Sequence, residues 1–157
     1  MKPVKDFSIR KGIKADELAR QLRDSGGFGA KDLGTAVDVL ETMIKSNCTR
    51  FLSFPANIIS TGTRGIIRDM VKAKMFSAVI TTCGTLDHDL ARVWKDYYHG
   101  SFHADDAKLY AKGIHRLGNV FVPMESYGKI LEQKLQPLFS DIYKNKKKFS
   151  PNELVYE

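Results

Sequence analysis

Cysteine is scarce: Cys48 and Cys83 are the only two in the chain. Neither belongs to a CxxC pair or stands near a histidine at metal-ligand spacing, so no zinc site, or other metal centre, is expected. Free thiols in a reducing compartment are the simpler reading. No apolar run approaches the ~20 residues that cross a bilayer. The opening MKPVKDFSIRKG has positive charges but no apolar stretch behind them, which excludes a secretory signal. A GxGxxG fingerprint is missing, as are an RNP-type aromatic motif and a zinc knuckle. Together these absences point to a cytoplasmic protein with no membrane partner and no direct nucleic-acid partner.

What is present supports a packed core. The 157 residues are 43% hydrophobic and 27% charged, which suits one ordinary domain and excludes wholesale disorder. The formal charge of +7 invites a nucleic-acid reading. Much of the excess, however, sits in the first 14 residues and in the run Lys144, Lys146, Lys147 and Lys148. Charge runs of this kind are read first as solvated faces.

Residues 14–24 carry Leu18 and Leu22 at i, i+4 spacing and predict a short amphipathic helix, ended by Ser25-Gly26-Gly27-Phe28-Gly29. A second helix is expected over 31–46, with Leu33, Val37, Leu40 and Ile44 on one face. Residues 50–54 read as a buried strand ending at Pro55, and 60–74 as a helix. A second buried, β-branched strand is expected at 78–82, then a helix over 86–94. Residues 95–118 look irregular, with a helical turn or two near 104–112. A third strand is expected at 119–122. A long helix over 126–144 follows, with a break or kink at Pro137. Ser150, Pro151 and Glu153 then form a capping box for one more helix.

Strands separated by helices imply a parallel sheet with right-handed crossovers. Three strands are few beside the about six of a doubly wound sheet. The expected class is therefore α/β: part of a Rossmann-like parallel sheet with flanking helices, incomplete in this chain. Residues 1–49 are read as an N-terminal helical segment and 50–157 as the first half of the α/β domain.

Ligands of such sheets bind beyond the carboxyl ends of strands, where loops open into helix N-termini whose unpaired N–H groups favour anions. Two loops qualify, 55–62 (PANIISTG) and 81–85 (TTCGT). Ordinary turn and capping roles for the same residues remain an open alternative.

The motifs FLSFPANIISTGTR, TTCGTLDHDLAR, YYHGSF and GIHRLGNVFVP occur in this order, preceded by SGGFGAKDLGTAVDVLETM. Along most of the chain this series resembles deoxyhypusine synthases, the archaeal type most of all, and in particular the N-terminal half of that enzyme. The resemblance implies an NAD-dependent transferase. Such an enzyme oxidises spermidine and passes its 4-aminobutyl group, through a lysine imine, to one lysine of the hypusine-containing translation factor. It further implies a homotetramer, with an N-terminal segment, here 1–14, covering a neighbour's active site.

Carried over position by position, the first NAD loop falls on Ala56, Asn57, Ile58, Ile59 and Ser60. Ala56 stands where eukaryotic members have serine. The second NAD loop falls on Thr82, Cys83 and Gly84, with Cys83 read as a backbone contact rather than a nucleophile. An acidic pair reaching spermidine and the nicotinamide falls on Asp87 and His88, so histidine replaces the second acid. Asp89 suits the first turn of a helix in any case. His99, His103 and His115 read as surface or packing residues, and Met70 and Trp94 as core.

The family's catalytic lysine lies in the other half of its sequence, and nothing here matches that motif. The lysines at 144–148 are exposed in character, whereas an imine-forming lysine needs a desolvated pocket. The expectation is thus an enzyme part, active only with a complementary C-terminal part or second chain that carries the lysine. A homospermidine-forming relative and a non-catalytic regulatory subunit are the alternative readings.

Overall fold

The computed structural model describes residues 1–156, so Glu157, the last residue of the expected α/β domain, lies outside the described residues. The chain divides into two units, Met1–Arg50 with Met75–Ser77, and Phe51–Lys74 with Ala78–Glu157. Among the described residues, no helix is long and apolar enough to cross a membrane.

The first unit is a helix pair, α1 (Ala15–Asp24) and α2 (Phe28–Lys45). Gly26, at φ 73°, reverses the chain between them. The second helix starts at Phe28 rather than 31, and Phe28, at φ 39°, still takes part in the turn. Gly34 is the buried residue of α2, and a Cβ there would lie 2.5 Å from Cβ of Arg23 and 2.7 Å from the Ala19 carbonyl. The two helices therefore approach closely enough to exclude any side chain at this point. The N-terminal residues are tied to α1: the Lys5 amide donates to the Asp24 carbonyl, and Arg10 pairs with Glu17 at 2.9 Å. Arg50 gathers the separate 75–77 segment by donating to the Met75 carbonyl at 2.6 Å.

The second unit is mixed α/β. Strands β1 (Phe51–Phe54) and β2 (Ala78–Thr81) pair in parallel, with Phe51 opposite Ala78 and Phe54 opposite Thr81. A 3-10 turn at Ala56–Ser60 and helix α3 (Thr63–Lys72) lie between them in the chain. Helix α4 (Gly84–Trp94) follows β2 directly. Then come β3 (Tyr98–His99), α5 (Asp106–Ala111), β4 (Ile114–Leu117) and β5 (Val120–Pro123). A short 3-10 turn, Met124–Ser126, leads into α6 (Gly128–Asn145), and α7 (Pro151–Tyr156) ends the described chain.

The third expected strand does not extend the parallel sheet. It is β5, the centre of a separate antiparallel sheet in the order β3-β5-β4. Leu117 pairs with Val120 across Gly118-Asn119, and a two-residue link can only join antiparallel neighbours. Gly118 has φ 63°, which such a tight turn demands. Nor are β1 and β2 buried: Phe51 is 61% exposed and Ile80 58%. A two-stranded sheet gives these apolar side chains too little surface to pack against. The core of the unit lies elsewhere, at Ile59, Ala91, Val122 and Ile130. Met70 and Trp94 are only half-buried. Helix α6 continues through Pro137 without a break, since the single bond proline removes would go to the carbonyl of exposed Gln133. The capping box forms as expected: the Glu153 carboxylate accepts from the Ser150 amide at 2.8 Å, and the Glu153 amide donates back to Ser150 Oγ at 3.3 Å.

Candidate functional site

The parallel pairing of β1 and β2 brings their carboxyl ends side by side, and so the two loops that follow them. Thr81 stitches this end: its hydroxyl donates to the Phe54 carbonyl at 2.8 Å and lies 2.6 Å from the Thr85 hydroxyl. The loops then meet. The Ala56 amide donates to Thr82 Oγ1 at 3.3 Å, and a Cβ on Gly84 would stand 3.0 Å from that of Ala56. Any larger side chain at 84 would press on the first loop.

Within the first loop the predicted residues divide. Asn57 is exposed and Ile58 half-buried, while Ile59 and Ser60 turn inward and are only 3% exposed. The Ser60 hydroxyl is committed to the Asn57 carbonyl at 2.6 Å. The turn is held from outside by Arg92 of α4, whose Nη1 donates to the carbonyls of Ile59 at 2.7 Å and Thr61 at 2.6 Å. Burial lowers the Arg92 pKa, and Arg64 lowers it further. Arg64 itself pairs with Asp89, which gives that acid a structural partner.

The second loop opens α4. Cys83 is the N-cap residue but provides no side-chain cap, and its thiol is exposed. Among the described residues, the Cys83 and Gly84 amides find no hydrogen-bond partner. Two free N–H groups at a helix N-terminus, over a close-packed glycine, fit a phosphate group.

One turn along α4, Asp87 and His88 join two tyrosines. The Tyr127 hydroxyl donates to Asp87 Oδ2 at 3.3 Å, and its ring lies 5.0 Å from that of His88 at a 32° tilt. Tyr97 meets the His88 ring edge-on, its hydroxyl 2.9 Å from Nδ1. Burial lowers the His88 pKa, against the pull of Asp87, and pushes Tyr97 up to about 12. Tyr127 is also raised, by burial first and then by Asp87. A neutral imidazole, a carboxylate and two protonated phenols are thus gathered beside the amide-bearing loop. Arg92 and Tyr97 also line a cavity of about 250 Å³, together with Ser60, His99 and Asn119.

Sequence reasoning misses Arg92, Tyr97 and Tyr127. Arg92 and Tyr97 lie within the motifs quoted for the family, but nothing in their spacing announces which backbone or ring they meet. His99, His103 and His115 are exposed, as expected of surface histidines. The lysines near the C-terminal end are exposed, and two of them are paired: Lys144 with Asp141 at 2.7 Å and Lys146 with Glu153 at 2.5 Å.

Adjacent strand-end loops, an uncapped helix N-terminus and a polar cluster one turn on place the candidate site in a mixed α/β unit with a small parallel sheet. The family model described as deoxyhypusine synthase matches residues 17–157. The "Probable deoxyhypusine synthase" of Picrophilus torridus is 52% identical over 99% of this chain and 50% of its own length. Those of Thermoplasma acidophilum and Ignicoccus hospitalis are 45% and 41% identical, each over 99% of this chain, and over 50% and 48% of their own lengths. The chain belongs to the deoxyhypusine synthase family, as its motifs indicate, and spans about half the length of the curated relatives it matches.

Proposed function

We propose that this chain is the N-terminal portion of a deoxyhypusine synthase, contributing one wall of an NAD and spermidine site. The completed enzyme would transfer the 4-aminobutyl group of spermidine to a lysine of the hypusine-containing translation factor. NAD, when bound, supplies the hydride acceptor for oxidation of the polyamine. The observation that carries this reading is the meeting of the two loops: Gly84 close against Ala56, with the Cys83 and Gly84 amides open to a phosphate. Asn57, exposed on the first loop, would contact the same cofactor. Asp87 offers a fixed carboxylate to an amine. Ser60 would act through its backbone and through the turn it closes, since its hydroxyl is already bonded inward. The parallel sheet would be one edge of a larger Rossmann-like domain, and the working assembly a homotetramer in the cytoplasm.

The lysine nucleophile is assigned to the part of the relatives' length that this chain does not span. The test combines this chain with the C-terminal half of an archaeal relative, labelled spermidine, NAD and the translation factor. Label should reach the protein acceptor only when both polypeptides and NAD are present. Transfer by this chain alone, or none with both halves associated, contradicts the reading.

A further inference from the structure

Tyr97 and Tyr127 are not needed to hold a phosphate or an amine, yet they enclose His88. The Tyr97 hydroxyl has no hydrogen-bond neighbour among the described residues other than His88 Nδ1, at 2.9 Å. With its pKa pushed up to about 12, the phenol keeps its proton at any working pH. Of the two groups the phenol is the more acidic donor, and donation from it makes Nδ1 the acceptor. In a neutral imidazole the hydrogen then resides on Nε2. The charged groups facing the ring are Asp87 and Arg92, which push its titration in opposite directions, and burial holds it low. Tyr127 completes the enclosure, its ring against His88 and its hydroxyl on Asp87. Cδ2 of His88, the ring carbon bonded to Nε2, lies beside the second loop, for a Cβ on Gly84 would lie 3.9 Å from it.

We propose that Tyr97 and Tyr127 are positioning residues that fix His88 as an Nε2–H donor beside the Asp87 acceptor, so that the pair reads an uncharged acceptor, such as a carboxamide oxygen, next to an amine. Two acids side by side would suit two ammonium groups. A donor beside an acceptor rejects the second ammonium, because N–H would face N–H. This inference rests on the proposed NAD and polyamine function, and assigns the nicotinamide carboxamide to His88 and the amine to Asp87.

The experiment is NMR of the full chain with 15N-labelled histidine, His88 being identified by the signals lost in His88→Gln. The expected wild-type spectrum shows one His88 tautomer, protonated at Nε2. Tyr97→Phe should convert it to a mixture of comparable populations, whereas Tyr127→Phe, which retains the ring, should not. A wild-type His88 protonated at Nδ1, or an unchanged spectrum in Tyr97→Phe, overturns the proposal. Addition of NAD to the chain assembled with its complementary polypeptide should move the His88 Nε2 signal together with the Cys83 and Gly84 amides. Movement of the amides alone overturns the His88 assignment and leaves the cofactor reading standing. Movement of neither overturns both.

Discussion

Arg92 shows how a single residue sets the shape of the candidate site. One nitrogen of its guanidinium satisfies two carbonyls of the first loop, at 2.7 and 2.6 Å. Hydrogen bonds from a charged group contribute about 1.5–3 kcal/mol. Arg92→Ala should therefore lower stability by about 2 kcal/mol in urea unfolding, with the largest amide shifts in the Ala56–Ser60 turn. Arg92→Lys should recover only part of this, since a strongly hydrated ammonium on a flexible stem lacks the fixed N–H directions of the planar guanidinium. His88 gives a pH signature. Its folded-state pKa is lowered by burial below the ordinary 6.5. The unfolded chain thus takes up the proton first, and stability should fall as pH drops from about 6.5 toward the folded value. His88→Gln should flatten that part of the stability–pH profile. At this scale the sequence is informative about residue types and poor about orientation. Asp87 and His88 stand out in the motif as residue types, but the inward turn of Ser60 follows from the 3-10 geometry of its loop, which no side-chain pattern encodes.

At the scale of elements, the tightest constraint is the crossing of α1 and α2. A Cβ at position 34 would come within 2.5 Å of Arg23 and 2.7 Å of the Ala19 carbonyl. Gly34→Ala raises helix propensity yet should destabilise the pair by about 1–3 kcal/mol through overpacking, read as a lower urea midpoint. Helix α7 offers a second, separable test. Lys146 and Ser150 hold the Glu153 carboxyl down at about 2, from an ordinary 4.5. The cap should hold above pH 4.5 and be lost as pH falls toward 2, visible in the α7 amides. Capping residues are local, which is why this box can be read directly from Ser150-Pro151-Asn152-Glu153. The β4–β5 hairpin escapes sequence reading for the opposite reason. Its strand Ile114–Leu117 carries His115 and Arg116, which masks the alternation, although the Gly118-Asn119 pair is itself a hairpin signal. Without β4, the strand at Val120–Pro123 reads as a third member of the parallel sheet.

For the molecule as a whole, the decisive fact is that the chain spans about half of its relatives. Family membership is legible because the motifs lie in order along most of the sequence. The environment of β1 and β2 is not: an apolar, β-branched run reads as buried in any context, whereas actual burial depends on what packs over it. Phe51, Val79 and Ile80 are exposed in this chain. If a complementary polypeptide completes the sheet, it covers them, and amide exchange in both strands should slow on its addition. That the two loops form a wall of an NAD site is tested most directly by calorimetric titration of NAD into the assembled pair of polypeptides, with wild-type chain and with Gly84→Val. Valine at 84 would thrust a branched side chain into Ala56 and over the Cys83 and Gly84 amides. Binding should weaken at least about tenfold, roughly 1.4 kcal/mol, with the far-ultraviolet circular dichroism unchanged. Equal affinity for NAD in the two assemblies would contradict the assignment of the loops to the cofactor.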